Sequence, residues 1–189
     1  SRSSEIKYHL ELMINTAILI NKELALRKLK QADFLVPINS KVNYFFMTNL
    51  LNFYTNKIKK TNIIIGHSHD TICSSNIVIA GSGTATLEAA LYKKPMIIIY
   101  KTSFFSWILL KKMLLIPYIG LPNILLKKFI VPEFLQNNAT PEKISMKAVE
   151  ILIDKKLQKY LKTKFMELHI NLKRNSSELI YKKINKYLK

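Results

Sequence analysis

The sequence predicts an α/β fold, with a doubly wound parallel sheet and a helical C-terminal tail. Continuous β-branched runs at residues 63–65, 77–80 and 97–100 show no polar alternation, which is typical of parallel strands covered on both faces. Segments of helical length separate these runs, as they do in βαβ units. From residue 141 onward the pattern is that of amphipathic helices.

The remaining elements follow in order along the chain. A long first helix begins at Ser3 or Ser4, because apolar residues then recur at helical spacing as far as Ile18. The further predicted segments are a short apolar one closed by proline at 34–37 and helices at 42–54, 70–75 and 85–92.

Composition limits the kind of protein. The 189 residues include 30 Lys and Arg against 12 Asp and Glu, for a net charge of +18, and 49% of them are hydrophobic. This is too apolar for a disordered polycation, and the length fits one domain with a full core. Two explanations fit the excess of lysine equally well: biased codon usage, and selection for binding a polyanionic partner. The single cysteine, Cys73, excludes an intramolecular disulfide and a Cys-rich zinc module.

Two classes of partner are not expected. The chain has no RRM, KH or helix-turn-helix signature, and its lysines are spread over helices, so we expect no nucleic acid partner. His67-Ser68-His69-Asp70 groups two imidazoles with a carboxylate, but zinc needs three or four ligands and the other histidines, His9 and His169, are distant in sequence. We therefore expect no metal there, and a loop in which Ser68 or Asp70 caps the next helix.

The apolar stretch at residues 104–116 has two interpretations. Lys111 and Lys112 interrupt it well before the roughly 20 residues that a membrane-spanning helix needs, which predicts a soluble or peripheral protein. Phe105 and Trp107 next to these lysines fit an in-plane membrane helix. They equally fit a face that packs in the core or against another domain.

The densest chemical signal lies at residues 77–88. A buried strand there leads into Gly81-Ser82-Gly83 and then into a helix. This arrangement exposes backbone N–H groups and the positive end of the helix to a phosphate. The hydroxyls of Ser82, Thr84 and Thr86 can add hydrogen bonds to phosphate oxygens. Glu88, one turn into the helix, can accept hydrogen bonds from sugar hydroxyls.

A simpler interpretation of this turn stays open. Gly-Ser-Gly is also a common tight turn, in which Ser or Thr caps the helix. The segment lacks the Gly-Lys-Ser of a Walker loop and the three spaced glycines of the Rossmann fingerprint. The pattern therefore predicts a phosphate site, but a tight turn without a ligand explains it too.

Short motifs along the whole chain carry a family resemblance. In chain order they are Ser1-Arg2-Ser3-Ser4-Glu5, Ser82-Gly83-Thr84-Ala85-Thr86-Leu87-Glu88-Ala89, Lys94-Pro95-Met96, Tyr100-Lys101, Leu121-Pro122-Asn123-Ile124-Leu125, Leu135-Gln136, Thr140-Pro141, Leu168-His169 and Arg174-Asn175. Together they resemble the bacterial lipid-A-disaccharide synthases. The resemblance implies the C-terminal, Rossmann-like half of a GT-B glycosyltransferase.

The resemblance also implies a domain organisation. Residues 1–140 would form a UDP-sugar-binding α/β domain and residues 141–189 the C-terminal helices, with the N-terminal acceptor domain absent from this chain. Because the chain opens on Ser1 and enters a helix at once, we expect it to continue something longer.

Roles for individual residues follow from the same resemblance. Gly83 and Thr84 would hold the diphosphate through backbone N–H groups, and Glu88 would bind the ribose. Arg2 would lie at the interdomain cleft and offset phosphate charge during catalysis, a role suited to a guanidinium. The other expected substrate-binding residues are Ser82, Thr86, Tyr100, Asn123 and Gln136, the last two lining the donor site or supporting its loops.

The implied reaction transfers 2,3-diacylglucosamine from UDP-2,3-diacylglucosamine to 2,3-diacylglucosamine 1-phosphate, forming the lipid A disaccharide 1-phosphate of lipopolysaccharide. It inverts the anomeric carbon and uses no metal or other cofactor. The general base is expected in the N-terminal domain, so we expect this chain to be inactive alone. The family implies a peripheral protein at the cytoplasmic face of the inner membrane, whose subunits exchange parts in a homo-oligomer.

Two departures from the family pattern leave alternatives open. Asn76 stands where Asp usually precedes the strand, and Lys101 where Arg is common, which exchanges a planar fork for a point charge. The alternatives are another GT-B transferase with a different acceptor, or a truncated, inactive UDP- or membrane-binding module.

Overall fold

The computed structural model describes residues 3–38, 48, 61–103, 107, 116–173, 181 and 183–185, and only the backbone of residues 3–8. The helices are α1 (Ser3–Leu26), α2 (Ser68–Ser74), α3 (Thr84–Leu91), α4 (Leu121–Leu126), α5 (Pro141–Ile153) and α6 (Lys155–Leu172). The strands are β1 (Phe34–Ile38), β2 (Thr61–Ile65), β3 (Val78–Gly81), β4 (Met96–Tyr100) and β5 (Glu133–Leu135), and a short 3₁₀ helix spans Gln136–Asn138.

Every strand pair in the described residues is parallel. Strands β1 and β2 form one sheet, and β3, β4 and β5 form another in that order. Helix α3 connects β3 to β4, which makes the βαβ unit that the strand and helix spacing predicts. The α/β class with parallel sheets and flanking helices is thus confirmed.

Strand β4 is the centre of the core, and its side chains alternate between two apolar layers. Ile97 and Ile99 pack in a cluster with residues of α1 and α5, whereas Met96 and Ile98 pack with residues of α3 and α6. All four side chains are completely buried. Because helices cover β4 on both faces, its side chains are apolar without polar alternation.

The long first helix joins the two sheets to the C-terminal helices. Leu10, Ile14 and Ala17 pack against Ile38 of β1, and α1 also lies along α5. Helix α6 packs against α3, α4 and α5. The C-terminal helices therefore share their cores with the strands, and the predicted boundary at residue 140 stays a prediction.

The structure differs from the sequence prediction in four local features. The described strands form two sheets, and β5 was not predicted, since three residues that include Glu133 carry little strand signal. Ile65 of β2 is 43% exposed rather than covered on both faces. Neither Ser68 nor Asp70 caps α2: the N-cap is His67, with a left-handed backbone and no capping side-chain hydrogen bond.

Some predictions fall outside the described residues. These are the helix at 42–54 apart from Thr48, the apolar segment at 104–116 apart from Trp107 and Ile116, and most of the chain after residue 173. No helix in the described part of the chain is long and apolar enough to cross a membrane.

Candidate functional site

Five of the predicted site residues lie at or next to the carboxyl edge of the three-stranded sheet: Ser82, Gly83, Thr84, Tyr100 and Gln136. Strand β3 ends at Gly81, β4 at Tyr100 and β5 at Leu135. Gly81 pairs with Ile99, and Tyr100 with Leu135, so the three strand ends lie side by side. Ligands of open parallel sheets bind beyond this edge.

The turn between β3 and α3 presents an uncapped helix start. Gly83 is the N-cap, in extended conformation (φ −175°), and no side chain of the described residues caps the helix. The first N–H groups of a helix have no intrahelical partner, so those of Gly83, Thr84 and Ala85 are available to a ligand. A Cβ built on Gly81 or Gly83 meets no atom of the described residues within 4 Å, so these residues leave the space above the turn open.

Two hydroxyls in the turn differ in their role. Thr86 is completely buried, and its Oγ1 donates a hydrogen bond to the Gly83 carbonyl oxygen over 2.7 Å. It therefore braces the turn from within. Thr84 is exposed at the first position of α3, and the Ser82 N–H donates to the Ile99 carbonyl oxygen over 3.2 Å. That bond ties the turn to the end of β4.

Glu88 lies one turn into α3, with its side chain 36% exposed. Its Oε2 is 3.4 Å from Nε2 of His69, which α2 brings to the same side. The His69 ring is also 6.0 Å from the Tyr92 ring, centroid to centroid. The pairing of His69 with Glu88 was not predicted, because the two residues lie on different elements.

The end of β4 contacts the first helix. The Lys101 N–H donates a hydrogen bond to His9 Nε2 over 3.0 Å, which brings α1 to the same edge. The Tyr100 ring lies 6.5 Å from the ring of Trp107, which is partly buried. The membrane-helix interpretation of this region stays a prediction. His9 carries no family motif, so no sequence signal pointed to it.

Gln136 follows β5 directly, with a left-handed backbone (φ 48°). Its Oε1 accepts a hydrogen bond from the Thr102 N–H over 3.3 Å, while its Nε2 is buried without a hydrogen-bond partner in the described structure. Left-handed conformations of non-glycine residues are uncommon and cluster at functional sites. Gln136 thus links the ends of β4 and β5 and retains an unused donor.

Asn123 is completely buried and has a supporting position. Its Oδ1 accepts hydrogen bonds from the Ile130 and Val131 N–H groups at 2.8 and 2.9 Å. Its Nδ2 donates to the Val131 carbonyl oxygen (2.8 Å) and to Glu133 Oε1 (2.7 Å). All its hydrogen-bonding capacity is used inside the protein, so it holds the loop before β5.

The last two predictions concern Arg2 and metal. Arg2 lies outside the described residues. His67 Nδ1 is 3.1 Å from Asp70 Oδ2, whereas His69 lies by Glu88. No group of three or more metal-ligating side chains occurs within the described ranges.

The fold defines a Rossmann-like α/β domain in which the helix of the βαβ unit begins without a side-chain cap in the described residues. A sequence profile described as lipid-A-disaccharide synthetase matches residues 1–184. The chain belongs to this family.

Named relatives agree with that assignment. The chain is 38% identical to the lipid-A-disaccharide synthase of Methylobacillus flagellatus over 189 residues, all of this chain and 49% of the relative. It is 36% identical to that of Dechloromonas aromatica over 179 residues, 94% of this chain and 46% of the relative. It is 34% identical to that of Thiobacillus denitrificans over 189 residues, all of this chain and 48% of the relative. The chain thus spans about half the length of the curated relatives it matches.

Proposed function

We propose that this chain is the UDP-sugar-binding half of a lipid-A-disaccharide synthase. The donor is UDP-2,3-diacylglucosamine, the acceptor is 2,3-diacylglucosamine 1-phosphate, and the products are UDP and the disaccharide 1-phosphate. Activity requires an N-terminal acceptor domain, and the assembled enzyme works peripherally at the cytoplasmic face of the inner membrane. Family membership and the chain's share of its relatives support this proposal.

The observation that carries the proposal is the uncapped start of α3. Its N–H groups and the positive end of its dipole face open space beyond the sheet. A diphosphate bound there satisfies the donors that no side chain occupies among the residues the structure describes. The family motif Ser82-Gly83-Thr84 coincides with this feature of the fold.

Glu88 and Gln136 support the rest of the donor site. The half-exposed Glu88 carboxylate lies one helical turn after the start of α3, where the diphosphate would bind. This spacing suits the ribose hydroxyls. The unused Gln136 Nε2 can donate to a ligand oxygen at the same edge. Asn123 contributes by holding the loop that leads into β5.

The chemistry proceeds by displacement at the anomeric carbon. The acceptor hydroxyl oxygen forms the new bond to C1 while the bond from C1 to the diphosphate oxygen breaks, and that electron pair leaves with UDP. The hydroxyl proton passes to a base in the N-terminal domain. Negative charge grows on the leaving diphosphate, and the start of α3 together with Arg2 stabilises it in the transition state.

Calorimetry with UDP on Gly83→Val tests the position of the diphosphate. A Cβ at Gly83 meets no atom of the described residues within 4 Å, and valine fits extended backbone, so we expect unchanged folding. It would fill the space above the turn, and we expect UDP affinity to fall at least about tenfold, the loss of one or two charge-assisted hydrogen bonds. Unchanged UDP affinity would place the nucleotide elsewhere.

Glu88→Ala tests the ribose contact, with Glu142→Ala as a control of equal charge on an exposed site of α5. We expect Glu88→Ala to weaken UDP about tenfold or more and the control to leave it unchanged. Equal affinity in both variants would contradict the ribose assignment.

We also expect the chain alone to bind UDP without transferring sugar. Release of UDP by this chain from a matched donor and acceptor would refute the need for the N-terminal domain.

A further inference from the structure

A groove lined by lysines lies at the amino edge of the three-stranded sheet, opposite the proposed nucleotide site. It has a volume of about 340 Å³, at the lower end of the range of small-molecule sites. Three segments form it: the residues before β3, the residues before β4 and the first half of α6. The lining residues are Ser75, Asn76, Lys93, Lys94, Pro95, Lys155, Gln158, Lys159 and Lys162.

The described residues that line this groove carry positive charge and no negative charge. Five of the nine lining residues are lysine and none is acidic. Elsewhere on α5 and α6, Lys147 pairs with Glu150 and Lys164 with Glu167. In the part of the chain that the structure describes, the five groove lysines form no such ion pair with a carboxylate. The like charges around this groove repel each other, which is electrostatically unfavourable. An anion bound in the groove attracts all of them and offsets this repulsion.

Backbone and side-chain hydrogen bonds hold the lysines around the groove. After α3, the Lys94 and Lys93 N–H groups donate to the Ala89 and Ala90 carbonyl oxygens, a Schellman turn that directs the chain back towards β4. The Lys93 Nζ lies 2.7 Å from Nδ1 of His169 on α6. The lysines of the turn and those of the helix are therefore brought together by tertiary structure, across more than 60 residues of sequence.

Gln158 fixes the other wall. Its Nε2 donates to the Ile151 and Leu152 carbonyl oxygens at the end of α5 over 2.8 and 2.9 Å. Its Oε1 accepts a hydrogen bond from Lys155 Nζ over 3.4 Å. This clamp holds the first turns of α6 against α5 and so sets the spacing of the lysines that follow.

We propose that this groove binds a ligand that carries several phosphate groups. Ammonium groups are compact donors suited to phosphate oxygens, and several of them line this groove, whose described lining residues include no carboxylate. Phosphate groups are shared by soluble polyphosphates and by the headgroups of anionic lipids, and the test separates these two sources. The proposal is independent of UDP binding, because the groove and the turn lie at opposite edges of the sheet.

The test measures binding of tripolyphosphate by calorimetry in about 0.15 M salt, where weak surface attraction is screened. Saturating UDP is present so that the turn at Gly83 does not contribute. The groove variant is Lys94→Glu/Lys159→Glu/Lys162→Glu, and the control is Lys22→Glu/Lys28→Glu/Lys30→Glu, at exposed lysines outside the groove and with the same net charge. We expect the groove variant to bind at least about tenfold more weakly than the control, since each lysine contributes near an anionic group.

Two further measurements complete the test. Co-sedimentation with phosphatidylcholine vesicles with and without phosphatidylglycerol identifies the source: groove-dependent binding to the anionic vesicles indicates lipid headgroups, and binding of tripolyphosphate alone indicates a soluble ligand. On the wild type, the ligand should slow acetylation of Lys94, Lys159 and Lys162 more than that of the control lysines, which avoids any effect of substitution on folding. Equal binding by both triple variants, uniform protection, or no binding to either probe would overturn the proposal. UDP affinity, measured separately in the groove variant, should equal that of the wild type.

Discussion

Replacing Asn123 with alanine removes the side chain that holds the loop before β5. The completely buried amide makes four hydrogen bonds: from the N–H groups of Ile130 and Val131, and to the Val131 carbonyl oxygen and Glu133. Alanine cannot replace any of them. Ile130 and Val131 are themselves buried, so water does not reach their backbone groups without local opening.

The expected cost follows from the groups left without partners. A buried donor or acceptor that loses its partner costs about 1–3 kcal/mol. Two backbone N–H groups and one carbonyl oxygen are affected, so the free energy of unfolding should fall by at least about 3 kcal/mol. Glu133 keeps the N–H groups of Ile119 and Gly120 as donors, at 2.9 Å each, and adds little. For a chain of this size the melting temperature should fall by about 10 °C.

Thermal and urea unfolding measured by circular dichroism give this value. The control is Asn137→Ala, since Asn137 is exposed on the 3₁₀ helix just after β5, and it should unfold like the wild type. A second variant, Asn123→Asp, keeps an oxygen that accepts from the two N–H groups. Its other carboxylate oxygen replaces Nδ2, which donates to Glu133 Oε1 over 2.7 Å, so two carboxylates would then face each other. It should be unstable at neutral pH and regain stability towards acid pH, where the two carboxyls share a proton. A wild-type unfolding curve for Asn123→Ala would refute this account.

Three other substitutions test the packing around the site. Gly120→Ala should lower the free energy of unfolding by about 1–3 kcal/mol, because a Cβ there collides with the Cδ1 of Ile98; an unchanged urea midpoint would contradict the close contact. Thr86→Val should cost about 1 kcal/mol in the same assay, since it removes the hydrogen bond to the Gly83 carbonyl oxygen at nearly constant volume, and no loss would remove its bracing role. Phe165→Ala should cost about 3–5 kcal/mol, whereas Met166→Ala on the exposed face of α6 should cost little; similar losses in both would contradict the orientation of that helix.

Much of the secondary structure follows from local sequence patterns. The start of α1, the helix α3 after Gly83 and the buried strand β4 were all predicted within a few residues, because each lies in a strong apolar period or run. The missed strand β5 has three residues, and its pairing with β4 decides its conformation rather than its own propensity. The N-cap at His67 was missed for a similar reason, since a left-handed histidine has no composition signal.

The candidate site was predicted in part. The Gly81-Ser82-Gly83 turn and Glu88 were found because strand, small residues and helix are contiguous in the chain. The buried position of Asn123 was not decided by its motif, which fitted both a ligand contact and a loop support. His9 and His69 were not connected to the site, because their partners, Lys101 and Glu88, lie on other elements.

Sequence alone determined the fold class, the position of the helix-opening turn and the family, because these depend on periodicity and on contiguous motifs. Only the tertiary structure decided which polar groups meet. It joined Asn123 to the backbone before β5, paired His69 with Glu88 and gathered lysines from two distant segments into one groove. The physical reason is that hydrogen bonds and charge interactions act over a few ångströms, whereas their partners here are set by how the strands and helices pack.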